Sequence, residues 1–93
     1  MAAFTVICLE AVPAAVRGSL SRWMIEPAEG TFIGSLPASI RDEVWEMISK
    51  ASNTGRACLI YPTNNEQGFS IRTHGDSRRK IRDFDDILLI DFV

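Results

Sequence analysis

The chain has 93 residues, which suits one domain built around one modest core. Its hydrophobic fraction of 46% and its net charge of −2 exclude a disordered chain, because disorder requires low hydrophobicity and high net charge. No apolar run approaches the roughly 18 residues of a membrane-spanning helix, and residues 1–5 lack the basic start of a secretory signal peptide. We therefore expect a single domain over residues 1–93, no membrane partner and a cytoplasmic location.

Strand and helix signals alternate in the first half of the chain. Residues 4–9 form a continuous apolar, β-favouring run, which predicts a central strand that ends at Glu10. A helix is expected from about Ala14 to just before Pro27, because proline disfavours helix in the residue that precedes it. Apolar side chains at helical spacing predict its buried stripe, which consists of Val16, Leu20, Trp23 and Met24.

A hairpin and a second helix are predicted next. Residues 30–36 have the pattern of a strand, the second arm of a tight hairpin that begins near Glu26. Pro37 suits the first turn of the following helix, and Gly55 suits its end. The predicted apolar face of this helix consists of Ile40, Val44, Trp45, Met47 and Ile48.

Three strands are predicted in the second half. Residues 56–63 and 69–73 form a hairpin, residues 75–80 connect two strands, and residues 87–93 form a final apolar strand. This order fits an α+β, ferredoxin-like (split βαβ) fold, with an antiparallel sheet, two helices on one face and an extra C-terminal strand. The opposite face carries too many apolar side chains to stay in water, which predicts a symmetric homodimer packed sheet against sheet.

Glu10 is the first candidate for chemistry, because α/β folds commonly place functional groups where a central strand ends. The alternative interpretation is a solvated loop acid that caps the next turn. One carboxylate alone holds Mg²⁺ poorly, since octahedral coordination usually draws on one or two carboxylates with water and substrate phosphates. Glu10 could therefore be a catalytic metal ligand only if a dimer axis brought a second copy alongside, with one ion between two chains.

Positive charge is concentrated in one stretch of this acidic chain. Five of the ten basic residues lie between positions 72 and 82, where Asp76 is the only acid; they are Arg72, Arg78, Arg79, Lys80 and Arg82. Guanidinium forks, backbone N–H groups and a serine hydroxyl in residues 75–80 suit phosphate binding, and nothing there reads bases. The alternative is a solvated loop that balances the aspartates at 83, 85 and 86. Arg17, near the start of the first helix, could add to the patch.

Cys8 and Cys58 lie in two separate apolar, strand-like runs. They form neither a CxxC motif nor a set of metal ligands, so the sequence predicts two buried thiols that act as small hydrophobic residues.

Three stretches occur together in a recognisable order and spacing. They are Glu10 with residues 12–13 and 17–18; residues 32–34 with 40–41 and 44–46; and residues 63–64, 68–69, 73, 75, 78–79 and 85. Together they resemble the CRISPR-associated adaptation protein family Cas-two, in its type I-E variant, and the resemblance covers nearly the whole chain.

The resemblance implies a ferredoxin-like homodimer that works with the Cas-one integrase, as a central bridge between two Cas-one dimers that supports the middle of a protospacer duplex. The matching positions imply duplex-backbone contacts by Arg17, Arg78 and Arg79, with Lys80 in the same segment. The last strand is implied to dock on Cas-one through Ile90, Asp91, Phe92 and Val93. Family members are also described as metal-dependent endonucleases acting on RNA or DNA, with an acid at the position of Glu10 and Mg²⁺ as the metal.

Two functions therefore stay open: a structural DNA-binding adaptor, and a Mg²⁺-dependent phosphodiesterase that uses Glu10 from each chain. The sequence favours the adaptor, because basic residues outnumber candidate catalytic residues and no general base or second acid is apparent near Glu10. A regulatory domain that binds a small metabolite is disfavoured, because the chain lacks a glycine-rich ligand loop.

Overall fold

The computed structural model describes residues 2–51, 55–75, 79–84 and 87–92. Within these ranges the elements follow in the order β1 (Ala2–Glu10), α1 (Ala14–Leu20), β2 (Ile25–Ala28), β3 (Thr31–Pro37), α2 (Ala38–Ala51), β4 (Arg56–Pro62), β5 (Phe69–His74), β6 (Arg79–Phe84) and β7 (Ile87–Phe92). None of the described helices is long and apolar enough to cross a membrane.

The main sheet has five strands in the order β2-β3-β1-β4-β5, and every neighbouring pair is antiparallel. Helix α1 connects β1 to the β2–β3 hairpin, and α2 connects β3 to β4. This connectivity is compatible with the predicted ferredoxin-like arrangement. Strands β6 and β7 pair only with each other among the described strands, as a separate two-stranded antiparallel ribbon.

The core lies between the helices and one face of the sheet. Alternate residues of β1 point to opposite faces, so Ile7 and Leu9 are buried while Phe4 and Glu10 are exposed. The buried cluster draws on both helices and on the central strands; it contains Ile7, Leu9, Val12, Val16, Leu20, Met24, Phe32, Leu36, Val44, Ile48, Ala57 and Leu59. Since burying a side chain of this kind contributes about 1.5–3 kcal/mol, this core is the main source of stability.

Helix α1 is shorter than the sequence predicts. It ends at Leu20, and residues 21–23 form a turn, so Pro27 does not stop it but lies in the outermost strand β2. The hydroxyl groups of Ser19 and Ser21 donate to the carbonyl oxygens four residues before them, an arrangement that weakens a short helix. The prediction that Trp23 belongs to the buried stripe is wrong: with the helix already ended, its side chain is 51% exposed.

Two other predictions need correction. Pro37 is the last residue of β3, directly before α2, rather than part of the first helical turn. Residues 75–80 are not wholly a connection, because Arg79 and Lys80 already lie in β6, a strand that the sequence pattern did not predict. The charged residues of β6 do not have a strand pattern of their own. The strand forms because it pairs with β7, where Ile81 lies opposite Ile90.

The sheet face away from the helices is apolar, as predicted. It carries Phe4 and Val6 of β1, Ile33 of β3 and Ile25 of β2, which the strand registers place side by side. Phe4 is 58% exposed and Ile25 is 67% exposed. We call this surface the open face. The single chain therefore leaves a cluster of large apolar side chains in water.

Candidate nucleic-acid interface

Glu10 lies at the end of β1, as the sequence predicts. The strand stops there because Ala11 adopts a φ of 58°, after which Pro13 leads into α1. Gly55 lies against this turn, and a Cβ there would come within 2.7 Å of the Ala11 carbonyl oxygen. The close approach lets β4 begin beside Glu10.

Arg56 lies directly opposite Glu10 in the β1–β4 register. Its Nη1 is 3.7 Å from Glu10 Oε2, and the two side chains are 39% and 68% exposed. A guanidinium group stays protonated at any physiological pH. The carboxylate of Glu10 therefore already has a permanent cation beside it.

Arg17 lies in α1 and reaches toward the β2–β3 turn. Its Nη1 is 3.3 Å from Glu26 Oε2, and the same oxygen accepts a 2.8 Å hydrogen bond from the Gly30 N–H. Gly30 needs the left-handed backbone of this turn, with a φ of 80°. A nucleic-acid phosphate at Arg17 would consequently compete with Glu26 for the guanidinium group.

The concentrated basic segment falls partly on the β6–β7 ribbon. Arg79 and Lys80 are the first two residues of β6, opposite Phe92 and Asp91 of β7. Arg78 lies outside the described residues. Strand pairing thus restricts the backbone of Arg79 and Lys80 more than a loop would.

Gln67 fastens the ribbon to the main sheet. Its Nε2 donates to the Leu88 carbonyl oxygen at 3.0 Å, and its Oε1 accepts from the Leu88 N–H at 2.8 Å. The side-chain amide therefore pairs with β7 as a neighbouring strand would. Of the residues predicted to dock on Cas-one, Ile90, Asp91 and Phe92 follow Leu88 in β7, and Val93 lies outside the described residues.

Comparison with known families identifies the chain. Residues 4–89 match the model of the family described as CRISPR-associated protein (Cas_Cas2CT1978). The chain belongs to the Cas-two family of CRISPR-associated proteins. The match covers both helices, the whole main sheet apart from the first residues of β1, and most of the ribbon.

Among the described residues of one Cas-two chain, the surroundings of Glu10 do not fit the Mg²⁺ site that the family resemblance implies. No group of three or more His, Cys, Asp or Glu side chains that could hold a metal ion occurs among the described residues. The positive charge of Arg56 beside Glu10 opposes a divalent cation there. An ion shared between two copies of Glu10 stays a prediction, and no reaction step is derived through it.

Sequence reasoning missed a second cationic cluster, on the helix side of the sheet. The guanidinium carbon of Arg41 lies 4.0 Å from the centre of the Tyr61 ring, and that of Arg72 lies 5.2 Å from it. Asp42 bridges both arginines, at 3.1 Å from Arg41 Nε and 3.0 Å from Arg72 Nη1. Only the tertiary fold brings α2, β4 and β5 together here, so the sequence holds no local signal for the cluster.

Electrostatics in this cluster shift two pKa values downward. The pKa of Asp42 is lowered chiefly by the hydrogen bond from Arg41; burial opposes this shift, and the charge of Arg41 and the hydrogen bond and charge of Arg72 add to the lowering. Burial alone would raise the pKa of Tyr61, but hydrogen bonds with Ser70 and Arg72 and the charges of both arginines lower it overall. Because Asp42 engages both guanidinium groups, the cluster ties α2 to the β4–β5 hairpin.

Proposed function

We propose that this Cas-two chain acts in CRISPR adaptation, the acquisition of spacers, as a homodimer that binds a DNA duplex and bridges two Cas-one integrase dimers. The observation that carries the proposal is the open face of the main sheet, found in a chain of this family. An adaptor of this kind works by geometry, and the open face supplies the surface on which two copies can form a rigid unit.

The open face supports a homodimer for a simple physical reason. Soluble monomers rarely expose large contiguous apolar patches, and such patches commonly mark interaction sites. Phe4 and Ile25 are each more than half exposed on this face. A second copy, packed sheet against sheet about a two-fold axis, covers the same residues on both chains.

The basic segment supports duplex binding. A two-fold axis would give the dimer two copies of Arg78, Arg79 and Lys80 at a fixed separation. Arginine forks bind phosphate oxygens in pairs, and contacts to phosphates alone are independent of base sequence. Arg79 and Lys80 lie in a paired strand that Gln67 ties to the sheet, so the two basic segments would hold a duplex at a defined spacing.

The alternative, a Mg²⁺-dependent endonuclease that cuts RNA or DNA at Glu10, has less support. Arg56 is a cationic partner for Glu10, so the Glu10 carboxylate does not require a metal ion to balance its charge. A structural role for the Glu10–Arg56 pair agrees better with an adaptor than with a metal-dependent phosphodiesterase.

We propose that Cas-one docks on the end of β7. Gln67 occupies the backbone groups of Leu88, so a partner strand would pair with residues further along, at 90–93. A chain that lacks residues 90–93 should fold, dimerise and no longer co-elute with Cas-one. Co-elution at the full-length level would remove this docking role.

Duplex binding by the Cas-one–Cas-two complex, measured over a range of salt concentrations, tests the function itself. Binding should be independent of base sequence and should weaken steeply with salt, because each neutralised phosphate contributes about 0.9 to the slope of log K against log salt. A complex that forms normally but binds no better than Cas-one alone would contradict the proposal.

A further inference from the structure

The ion pair of Arg17 with Glu26 lies on the helix side of the main sheet, away from the open face. Arg17 belongs to α1, whose buried residues Val16 and Leu20 are part of the core. Ile25 and Glu26 are neighbours in β2, and successive side chains of a strand point to opposite faces. Ile25 belongs to the open face, so Glu26 points toward α1, where its carboxylate meets Arg17. A homodimer formed through the open face covers the side of the sheet opposite this ion pair.

The carboxylate of Glu26 is anchored to the β2–β3 turn. Its Oε2 accepts a hydrogen bond of 2.8 Å from the Gly30 N–H. The Gly30 carbonyl oxygen in turn accepts a hydrogen bond of 2.6 Å from the Leu9 N–H of the central strand β1. A Cβ at Gly30 would lie only 2.5 Å from the Leu9 carbonyl oxygen, so the turn packs closely on β1. The turn therefore fixes the carboxylate independently of Arg17.

The contact of Arg17 with Glu26 is weaker than this anchor. Arg17 Nη1 lies 3.3 Å from Glu26 Oε2, whereas strong hydrogen bonds between charged groups span about 2.7–2.9 Å. The two side chains are 30% and 33% exposed, and ion pairs at the surface contribute little to stability. The guanidinium group can therefore leave Glu26 while the carboxylate stays bound to the Gly30 N–H.

A DNA phosphate would bind Arg17 in the way that Glu26 does. Carboxylate and phosphate oxygens are both anionic acceptors, and the guanidinium fork binds either of them. The Glu26 carboxylate thus occupies on Arg17 a place that a phosphate oxygen could take. After the exchange, the anchored carboxylate would be a like charge close to the phosphate, which repels it. Both effects lower the affinity of Arg17 for DNA.

We propose that Glu26 is an internal competitor that limits the affinity of Arg17 for the phosphate backbone of a DNA duplex. The inference rests on the proposed duplex binding and adds a residue that weakens it. In the free chain Glu26 binds the guanidinium group of Arg17. A duplex that also contacts the basic segment displaces Glu26 from Arg17, so the strength of its binding is set in part by this carboxylate.

The test measures binding of a DNA duplex of mixed sequence by the Cas-one–Cas-two complex, with Glu26→Gln beside the native chain. Glutamine keeps an oxygen that can accept from the Gly30 N–H but carries no charge for Arg17. The matched control is Glu29→Gln, which removes the same charge from an exposed position of the same turn. Glu26→Gln should bind at least about twofold more tightly than Glu29→Gln, since displacing one exposed ion pair per chain lowers affinity about 1.4- to fivefold.

Repeating both substitutions in an Arg17→Ala chain locates the effect. In that chain Glu26→Gln should bind no more tightly than Glu29→Gln, because the group for which Glu26 competes is gone. Circular dichroism of every variant, recorded beside the native chain, checks that a change in binding is not a loss of fold.

Three results would overturn the inference while leaving the proposed function intact. They are a native complex that binds the duplex as tightly as Glu26→Gln does, an equal gain from Glu29→Gln, and a gain from Glu26→Gln that survives Arg17→Ala. The proposed function fails separately if the native complex binds no better than Cas-one alone. If the Glu26→Gln complex also binds no better than Cas-one alone, both proposals are wrong.

Discussion

Glu10 and Arg56 are paired residues at the end of the β1–β4 ladder, with Glu10 Oε2 and Arg56 Nη1 3.7 Å apart. The arrangement gives the most prominent carboxylate of the candidate site a structural partner. It also bears directly on whether this Cas-two chain works as an adaptor or as a nuclease.

The variant Glu10→Gln should keep spacer acquisition at the level of the native chain, because the adaptor function needs no metal at this position. The free energy of unfolding should fall by less than about 1 kcal/mol, since exposed ion pairs contribute little. Acquisition assays in cells and urea denaturation measure the two effects. Loss of acquisition by a folded, Cas-one-bound Glu10→Gln chain would argue for a catalytic carboxylate.

The variant Ile25→Lys should dissociate the proposed homodimer and leave the chain folded. Ile25 is 67% exposed in the single chain, so lysine costs little there, but a dimer would bury its charge without a partner. The dissociation constant, measured by analytical ultracentrifugation, should rise at least about tenfold, equivalent to about 1.4 kcal/mol. The matched control is Ser39→Lys, at an exposed position of α2 on the other side of the sheet. Equal weakening by both variants would mean that the open face is not the dimer interface.

The variant Gln67→Ala should loosen the β6–β7 ribbon without unfolding the main sheet. It removes both hydrogen bonds to Leu88, each worth about 0.5–1.5 kcal/mol net. Hydrogen exchange followed by mass spectrometry should show faster exchange in residues 87–92 and unchanged exchange in 56–62. Glu66→Ala, an exposed neighbour, serves as the control. Unchanged exchange in residues 87–92 would show that the two hydrogen bonds of Gln67 do not hold the ribbon on the main sheet.

The Asp42 bridge should give a small, acid-sensitive contribution to stability. Its pKa in the folded chain lies below the usual 3.8, so the bridge stabilises the fold fully above that pH and is lost as the pH falls below it, through the folded pKa. The difference in unfolding free energy between the native chain and Asp42→Asn should be at most about 1 kcal/mol at neutral pH, because the carboxylate is largely exposed. Urea denaturation at neutral and at strongly acidic pH measures it. A difference that grew on acidification would contradict this assignment.

Sequence periodicity predicted the elements whose local pattern matches their final environment. The apolar run of β1 and the helical stripe of α2 are examples, because one local pattern decides each of them. Helix α1 was predicted too long, since the serines that weaken it occur within an otherwise regular apolar pattern. Strand β6 was missed because pairing with β7, and not its own charged sequence, makes it a strand.

In the candidate site, too, some features were predicted from the sequence and others were not. The position of Glu10 follows from the end of β1, which the sequence marks, whereas the start of β6 at Arg79, inside the basic segment, was not predicted. The partners Arg56 for Glu10, Cys58 for Cys8 and Glu26 for Arg17 depend on strand register and on tertiary packing, for which one sequence holds no local signal.

Spacer acquisition by the double variant Arg78→Ala, Arg79→Ala tests the adaptor function most directly. The matched control is Arg22→Ala, Lys50→Ala, which removes the same charge from exposed positions outside the basic segment. The first variant should lose acquisition and bind duplex DNA at least about tenfold more weakly, with a shallower salt dependence, while the control behaves as the native chain. Native-level acquisition and duplex binding by the Arg78→Ala, Arg79→Ala chain would contradict the assignment of this Cas-two protein as a DNA-holding bridge.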